Sequence, residues 1–289
     1  MKGGLLFIRL HSRFYCEQVF TALGALWLVV DVLMVTMFGT PPSGEQGLGV
    51  LIGLCVFAFS IAAARLLFNI SSVSFRIRNT RANLSIVFGD VFKQTDGAIV
   101  VPVNHFFDHE LGVSVSPNSV HGQAIQSWET PEDFRAAVDR DLSRVERGLE
   151  FEEDLTRKIA PRRRYEIGTI ATVERQNSEN STTLFHLLAV AEVEENNRAR
   201  SNLPALVTAL SKGWQYIFER SETVPLVVPL IGSGFGRVGL DEEHLLEVMI
   251  ATIAEYQARE RMPANNITIV LTESLKGKIK LYNVKREWS

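Results

Sequence analysis

Gly232-Ser233-Gly234-Phe235-Gly236-Arg237 follows an apolar run and precedes a helical stretch opened by Asp241. At such a place the backbone N–H groups of a glycine-rich turn can cradle a phosphate, because small residues let the main chain approach an anion closely. The Lys-Ser/Thr pair of a P-loop is missing. Gly234, Gly236 and Gly239 fit G-x-G-x-x-G, the dinucleotide fingerprint, but only one apolar run and a short tail come after them. That leaves no room for the successive βαβ units of a Rossmann site. A glycine-rich strand-to-helix turn of purely structural purpose has the same composition.

Two further groups have polar residues at the ends of apolar runs: Phe88-Gly89-Asp90-Val91-Phe92, and Ala98 through Val103 closed by Asn104. An Asp after a strand can take a ligand hydrogen bond or cap a helix, and both readings of Asp90 stand. His121 has the same ambiguity between a ligand contact and a structural hydrogen bond. His105 and His109 are four apart, which on a helix would share a face, yet Asp108 and Gly112 mark a loop there, so no metal site is expected. Cys16 and Cys55 are the only cysteines, which excludes a disulfide framework and a thiolate metal site. No activated Ser or Cys nucleophile and no placed acid–base pair stands out.

Alternating elements must position these residues. Leu84–Phe88, Ala98–Val103, Ile167–Val173, Leu184–Val193, Val224–Leu230 and Ile267–Leu271 read as strands, short apolar β-branched runs bounded by turn residues. Helices are expected over Pro131–Arg147 with Thr130 as N-cap, over Leu203–Phe218 opened by Asn202 and Pro204, and over Asp241–Tyr256. Strand and helix mostly alternate, so a sheet flanked by helices is predicted.

The first 69 residues are different. They hold 4 basic and 3 acidic residues, leaving 26 basic and 30 acidic in the rest. The mildly acidic remainder argues against a nucleic-acid partner, which would call for a basic stripe. Val19–Phe38 and Leu48–Phe68 are apolar runs of 20 and 21 residues, each long enough to cross a hydrocarbon core of about 30 Å. The first is too long for a cleaved signal peptide, and a second follows at once. Lys2, Arg9 and Arg13 precede the first run, Arg65, Arg76, Arg78 and Arg81 lie at or beyond the end of the second, and the loop between them has no basic residue. The positive-inside rule then predicts a multi-pass protein of the inner (cell) membrane with both termini cytoplasmic. Asp31 within the first run would cost about 2.5–3.5 kcal/mol if ionised, so a proton, a wet defect or an interface is expected there. Gly49-x-x-x-Gly53, with Ala58, Ala62 and Ala63, offers a close-packing surface suited to a homo-oligomer.

The Gly89-Asp90 and Asn104 groups and the loop after Pro229, in that order, resemble the macro domain family, an ADP-ribose-binding α/β fold. The resemblance implies that Asp90, with Val91 beside it, meets the adenine amino group, that Asn104 binds the distal ribose, and that Gly232 to Arg237 wrap the diphosphate. After Asn104 the chain departs from the family's Gly-Gly-Gly-hydrophobic loop and carries Gly112 to Gly122 instead, which points to a different distal group near Ser119, His121 and Gly122. Ser119-Val120-His121-Gly122, Arg164 to Thr169 and Pro229 to Arg237 extend the resemblance, over nearly the whole chain, to the macro-type ThsA-like effectors of Thoeris antiphage defence. It implies a sensor-effector without a cofactor, whose ligand is an ADP-ribose conjugate made from NAD by a TIR-domain partner. Binding would lead to action on membrane lipid and to cell death or growth arrest. A membrane-tethered ADP-ribosyl hydrolase is the alternative, and a passive anchored binder a third reading. The expected fold class is thus α/β, with a cytoplasmic N-terminus (1–18), a two-helix transmembrane hairpin (19–69), a linker (70–81) and a macro-like domain (82–289) whose mixed sheet is flanked by helices.

Overall fold

The structure is a computed structural model. It describes residues 72–94, 97–144, 148–159, 161–176, 182–194, 199–220, 224–234, 238–259 and 266–289, together with Gly53, Val56, Phe57 and Ser60. The chain divides into two compact units, Met1–Ser71 and Ser72–Ser289.

The described residues of the second unit hold ten strands, the central ones rich in β-branched residues. These are β1 (Ser72–Arg76), β2 (Asn83–Phe88), β3 (Ala98–Asn104), β4 (Phe151–Glu153), β5 (Arg163–Tyr165), β6 (Ile170–Gln176), β7 (Thr182–Val193), β8 (Ala199–Arg200), β9 (Leu226–Pro229) and β10 (Asn266–Leu271). The helices are α1 (Val120–Gln126), α2 (Pro131–Leu142), α3 (Leu203–Arg220), α4 (Glu242–Arg259) and α5 (Leu281–Trp288). One mixed sheet runs β1-β2-β10-β9-β3-β7-β6, with β8 beside β7, while β4 and β5 make a separate two-stranded ribbon. From β2 to β7 the neighbours are parallel, and β1, β6 and β8 pair antiparallel to them.

A parallel strand is buried on both faces, so its residues go alternately to two cores. In β3, Ala98 and Val100 pack with Trp214, Leu210 and Leu206 of α3 and Met249 and Ile253 of α4. Ile99, Val101 and Val103 face the other way, onto Ala124 and Ile125 of α1 and Phe134 and Val138 of α2. Trp214 Nε1 donates to Thr252 Oγ1 at 2.9 Å, which satisfies the buried indole and ties α3 to α4. At the β6 edge, the Thr172 backbone N–H donates to the buried Asp141 carboxylate of α2 at 2.9 Å, so that edge amide is not left open to a foreign strand.

The expected caps form. Thr130 Oγ1 accepts from Asp133 N, Asn202 Oδ1 from Ala205 N and Asp241 Oδ1 from His244 N. The helix begun at Pro131 stops at Leu142 rather than Arg147, and Ser72–Arg76, inside the stretch expected as linker, is an edge strand.

The placement of the chain in the inner membrane as a multi-pass protein is corrected. Among the described residues no helix is long and apolar enough to cross a membrane. The longest, α3 and α4 at 18 residues each, are interrupted by charges such as Lys212, Glu219, Glu247 and Glu255 and pack one face on the sheet. The first expected span, with Asp31, lies outside the described residues, as does Gly49; of the second, Gly53, Val56, Phe57 and Ser60 are described, all helical and exposed.

Candidate functional site

At the carboxyl ends of the parallel strands the ladder between β3 and β9 is short. It registers only Ala98 with Leu226 and Ile99 with Val227. Beyond that point each strand carries a proline, Pro102 or Pro229, which has no N–H to extend a ladder. A cavity of about 870 Å³ opens there. Pro102, Val103 and Asn104 line it from β3, Pro229 to Gly234 (Ile231 excepted) from the turn after β9, Thr272, Ser274 and Leu275 from the end of β10, and 112–121 from the loop into α1. A crevice outside the carboxyl ends of strands is where open α/β sheets bind ligands.

The turn after β9 is set by its glycines. Gly232 has φ +94°, a left-handed conformation that disfavours any side chain, and a Cβ there would meet Leu245, Val238 and Leu206 at 3.1–3.3 Å. Ser233 Oγ donates to Leu230 O at 2.9 Å and closes the turn. Among the described residues the backbone N–H groups of Gly232, Ser233 and Gly234 have no hydrogen-bond acceptor. A Cβ on Gly234 would meet nothing within 4 Å. Unpaired donors beside open space are what an anionic oxygen needs.

Asn104 is held from the other side. The β3–β7 register shifts between Val103 and Asn104, where β7 carries Val190 as an extra residue and the ladder becomes irregular at the strand end. Asn104 Oδ1 accepts from Phe106 N at 3.0 Å and from Asp108 N at 3.5 Å, while Nδ2 donates to Asp108 Oδ2 at 2.9 Å. The same carboxylate oxygen accepts from Arg157 Nη2 at 2.6 Å.

His121 is 6% exposed in the first turn of α1 and lines the cavity; its Nε2 has no hydrogen-bond partner. Burial, and secondarily the charge of His109, lowers its pKa to about 3, so the ring is neutral at ordinary pH. Ser119 caps α1, its Oγ accepting from Gly122 N at 3.0 Å and donating to Ser116 O at 2.7 Å. His105, behind Asn104, is lowered to about 4 by burial and then by the charges of Arg164 and Arg157, with Asp154 opposing. Its Nε2 accepts from Val193 N at 3.2 Å.

One cavity therefore collects Asn104, Ser119, His121, Gly232, Ser233 and Gly234. Asp90, Val91 and Gly122 are not in its lining. Asp90 Oδ1 accepts from Phe92 N at 3.0 Å and caps the short 3-10 helix Val91–Lys93, and Val91 is a core side chain. Gly89 N donates to Leu271 O, which sets Asp90 beside the strand end that leads to Thr272. Gly122 is a close-approach glycine, since a Cβ on it would lie 2.1 Å from Ser116 O. Phe235, Gly236 and Arg237 lie outside the described residues. The sequence reading missed Thr272 and Ser274, which only their position after the last parallel strand could have flagged, and Ser201 and Glu242, for which no local signal exists.

Comparison with known proteins gives three findings. The family model described as Thoeris protein ThsA, Macro domain, matches residues 84–272. A curated relative, Thoeris protein ThsA of Bacillus amyloliquefaciens (strain Y2), is 24% identical over 244 residues, covering 82% of this chain and 77% of the relative. Among solved structures, a mutant Oceanobacillus iheyensis macrodomain with ADPR is 15% identical with a TM-score of 0.48, covering 75% of this chain and 97% of its own. Thermosipho africanus DarTG in complex with ADP-ribose is 18% identical with a TM-score of 0.44, covering 73% and 46%.

Proposed function

Because the chain belongs to the family of the Thoeris protein ThsA macro domain, we propose that it is a sensor in antiphage defence that binds an ADP-ribose-derived nucleotide. In this reading the nucleotide is a signal made from NAD by a TIR-domain partner. The observation that carries it is the row of unpaired N–H groups at Gly232, Ser233 and Gly234, residues that line one cavity of about 870 Å³ together with Asn104. A diphosphate lies against backbone donors, and the amide at the end of β3 serves the distal ribose. Asp90 takes the adenine edge from beside β10, with Oδ2 free for it, since only Oδ1 is used as cap. Ser119, His121 and the rest of the loop 112–121 bound the distal end.

We infer binding rather than turnover. The described lining is made of glycines, serines, Thr272, the amides of Asn104 and Asn118, apolar side chains and a single carboxylate, Glu242, with His121 kept neutral by burial, a composition that suits holding a ligand through hydrogen bonds. Calorimetry of the full chain with ADP-ribose tests this, with the ligand recovered and weighed by mass spectrometry. Saturable binding with intact ligand is expected. No heat of binding up to millimolar ADP-ribose refutes the site, and release of ADP-ribose from a supplied ADP-ribosylated protein gives the hydrolase reading instead.

A further inference from the structure

Asn104 has one free polar valence. A primary amide has two acceptor sites on oxygen and two N–H donors. Both oxygen sites are taken by the backbone N–H groups of Phe106 and Asp108, and one N–H goes to Asp108 Oδ2. Only the second Nδ2 hydrogen remains, so Asn104 can meet a ligand solely as a donor, to a hydroxyl or carbonyl oxygen. The opposite orientation of the amide would set its oxygen against the Asp108 carboxylate and its NH2 against two N–H groups.

What fixes this orientation is a buried charge. Asp108 is 0% exposed, and a carboxylate taken out of water needs a cation held in good geometry. That cation is Arg157, 49 positions on, in the connection between β4 and β5. Its side chain is 6% exposed. The guanidinium lies 3.7 Å over the Phe106 ring, and Nη1 donates to Pro161 O at 2.7 Å, so the fork cannot turn away. The β4–β5 ribbon is also tied to the same loop by Tyr165 N donating to His105 O at 2.9 Å.

We propose that Arg157 is a positioning residue of the ligand site: by pinning Asp108, it holds the Asn104 amide with its one free N–H as donor to an acceptor oxygen of the distal ribose. The proposal rests on the reading of Asn104 as a ligand contact. It assigns the β4–β5 ribbon a task, since the ribbon carries the cation but does not line the cavity.

The test is calorimetry on the full chain with two probes, ADP-ribose and ADP, the latter lacking the distal ribose. Asn104→Ala and Arg157→Lys are each expected to weaken ADP-ribose roughly 3- to 10-fold, the worth of one hydrogen bond, and to leave ADP unchanged. Together they should weaken it no more than Asn104→Ala alone, because one acts through the other. Lys keeps the charge but not the planar fork, so it tests geometry. Should Arg157→Lys not fold, Asp108→Leu with Arg157→Met removes both buried charges and the acceptor for Asn104, an apolar replacement that folds often tolerate, and predicts the same selective loss. A loss with Asn104→Ala but not with the Arg157 variants overturns the positioning role alone. Equal losses for ADP and ADP-ribose, or losses that multiply, also overturn it as damage to the fold. Full affinity in Asn104→Ala overturns the ligand contact and the proposal with it.

Discussion

Gly234→Val separates binding from folding more sharply than any other single change at this site. Gly234 has no positive φ, and a Cβ on it meets nothing within 4 Å, so the fold has room for the side chain. The stability change should stay within about 0.5 kcal/mol, the range for substitutions away from packing. A phosphate oxygen bonded to the turn has to come within about 2.9 Å of a backbone nitrogen, and an isopropyl group in the same open space denies that approach. Losing two charge-assisted hydrogen bonds of about 1.5–3 kcal/mol each weakens ADP-ribose binding by roughly two to four orders of magnitude. Gly232→Val is the control, because Gly232 sits at φ +94° against Leu245 and Val238 and should destabilise the fold by about 1–3 kcal/mol. Calorimetry and thermal melts of both variants make the comparison. Wild-type affinity in Gly234→Val, or a melting point lowered as far as that of Gly232→Val, refutes the phosphate cradle.

Acid should destabilise the domain above the range where carboxylates titrate. His121 and His186 have pKa values lowered by burial to about 3 and about 4, below the unfolded value of 6.5. The native state therefore binds fewer protons than the unfolded chain. Their stability is fully present above about pH 6.5 and is lost as pH falls from there toward 4, with a slope of about 1.4 kcal/mol per unit for each group. Urea midpoints at several pH values check this, and a flat profile between pH 6.5 and 5 contradicts the burial of the two rings. Gly122→Ala should cost about 1–3 kcal/mol by forcing the loop at Ser116 and Pro117 off α1, read as a lower urea midpoint; no change would mean that the close approach is absent. Thr130→Ala removes the cap of α2 and should cost about 0.5–2 kcal/mol, and an unchanged melt would show that this helix end does not contribute.

Legibility in the sequence followed locality. The caps at Thr130, Asn202 and Asp241 and the apolar runs of β3, β9 and β10 are short-range signals, and they place the elements within a few residues. β1 escaped because Ser-Val-Ser-Phe-Arg is a polar edge strand beside a basic stretch, with Phe75 its one buried side chain. The β4–β5 ribbon escaped because Phe151-Glu152-Glu153 is exposed and three residues long. For the site, Asn104 and Gly232 to Gly234 come to one cavity from strand ends that the apolar runs mark, whereas the packing of Gly122 against Ser116 O is a contact that only the fold creates. The Asp108–Arg157 pair spans 49 positions, and neither residue type nor spacing announces such a contact.

The two sides of the cavity rest on different physics, and so they should be separable by mutation. On the β9 side the donors are main-chain N–H groups, whose directions are set by the turn and whose partner is any anionic oxygen. On the β3 side there is one N–H of one amide, aimed by an ion pair carried on a ribbon outside the cavity. Changes at the glycine turn should therefore lower affinity for ADP and ADP-ribose by the same factor. Changes at Asn104 or Arg157 should alter only the ratio of the two affinities, because ADP has no distal ribose to meet the amide. Combining Gly234→Val with Asn104→Ala should give free-energy losses for ADP-ribose that add, since the two residues share no partner. A strongly non-additive result would mean that the turn and the amide move as one unit, and the division between a diphosphate side and a distal side would have to be given up.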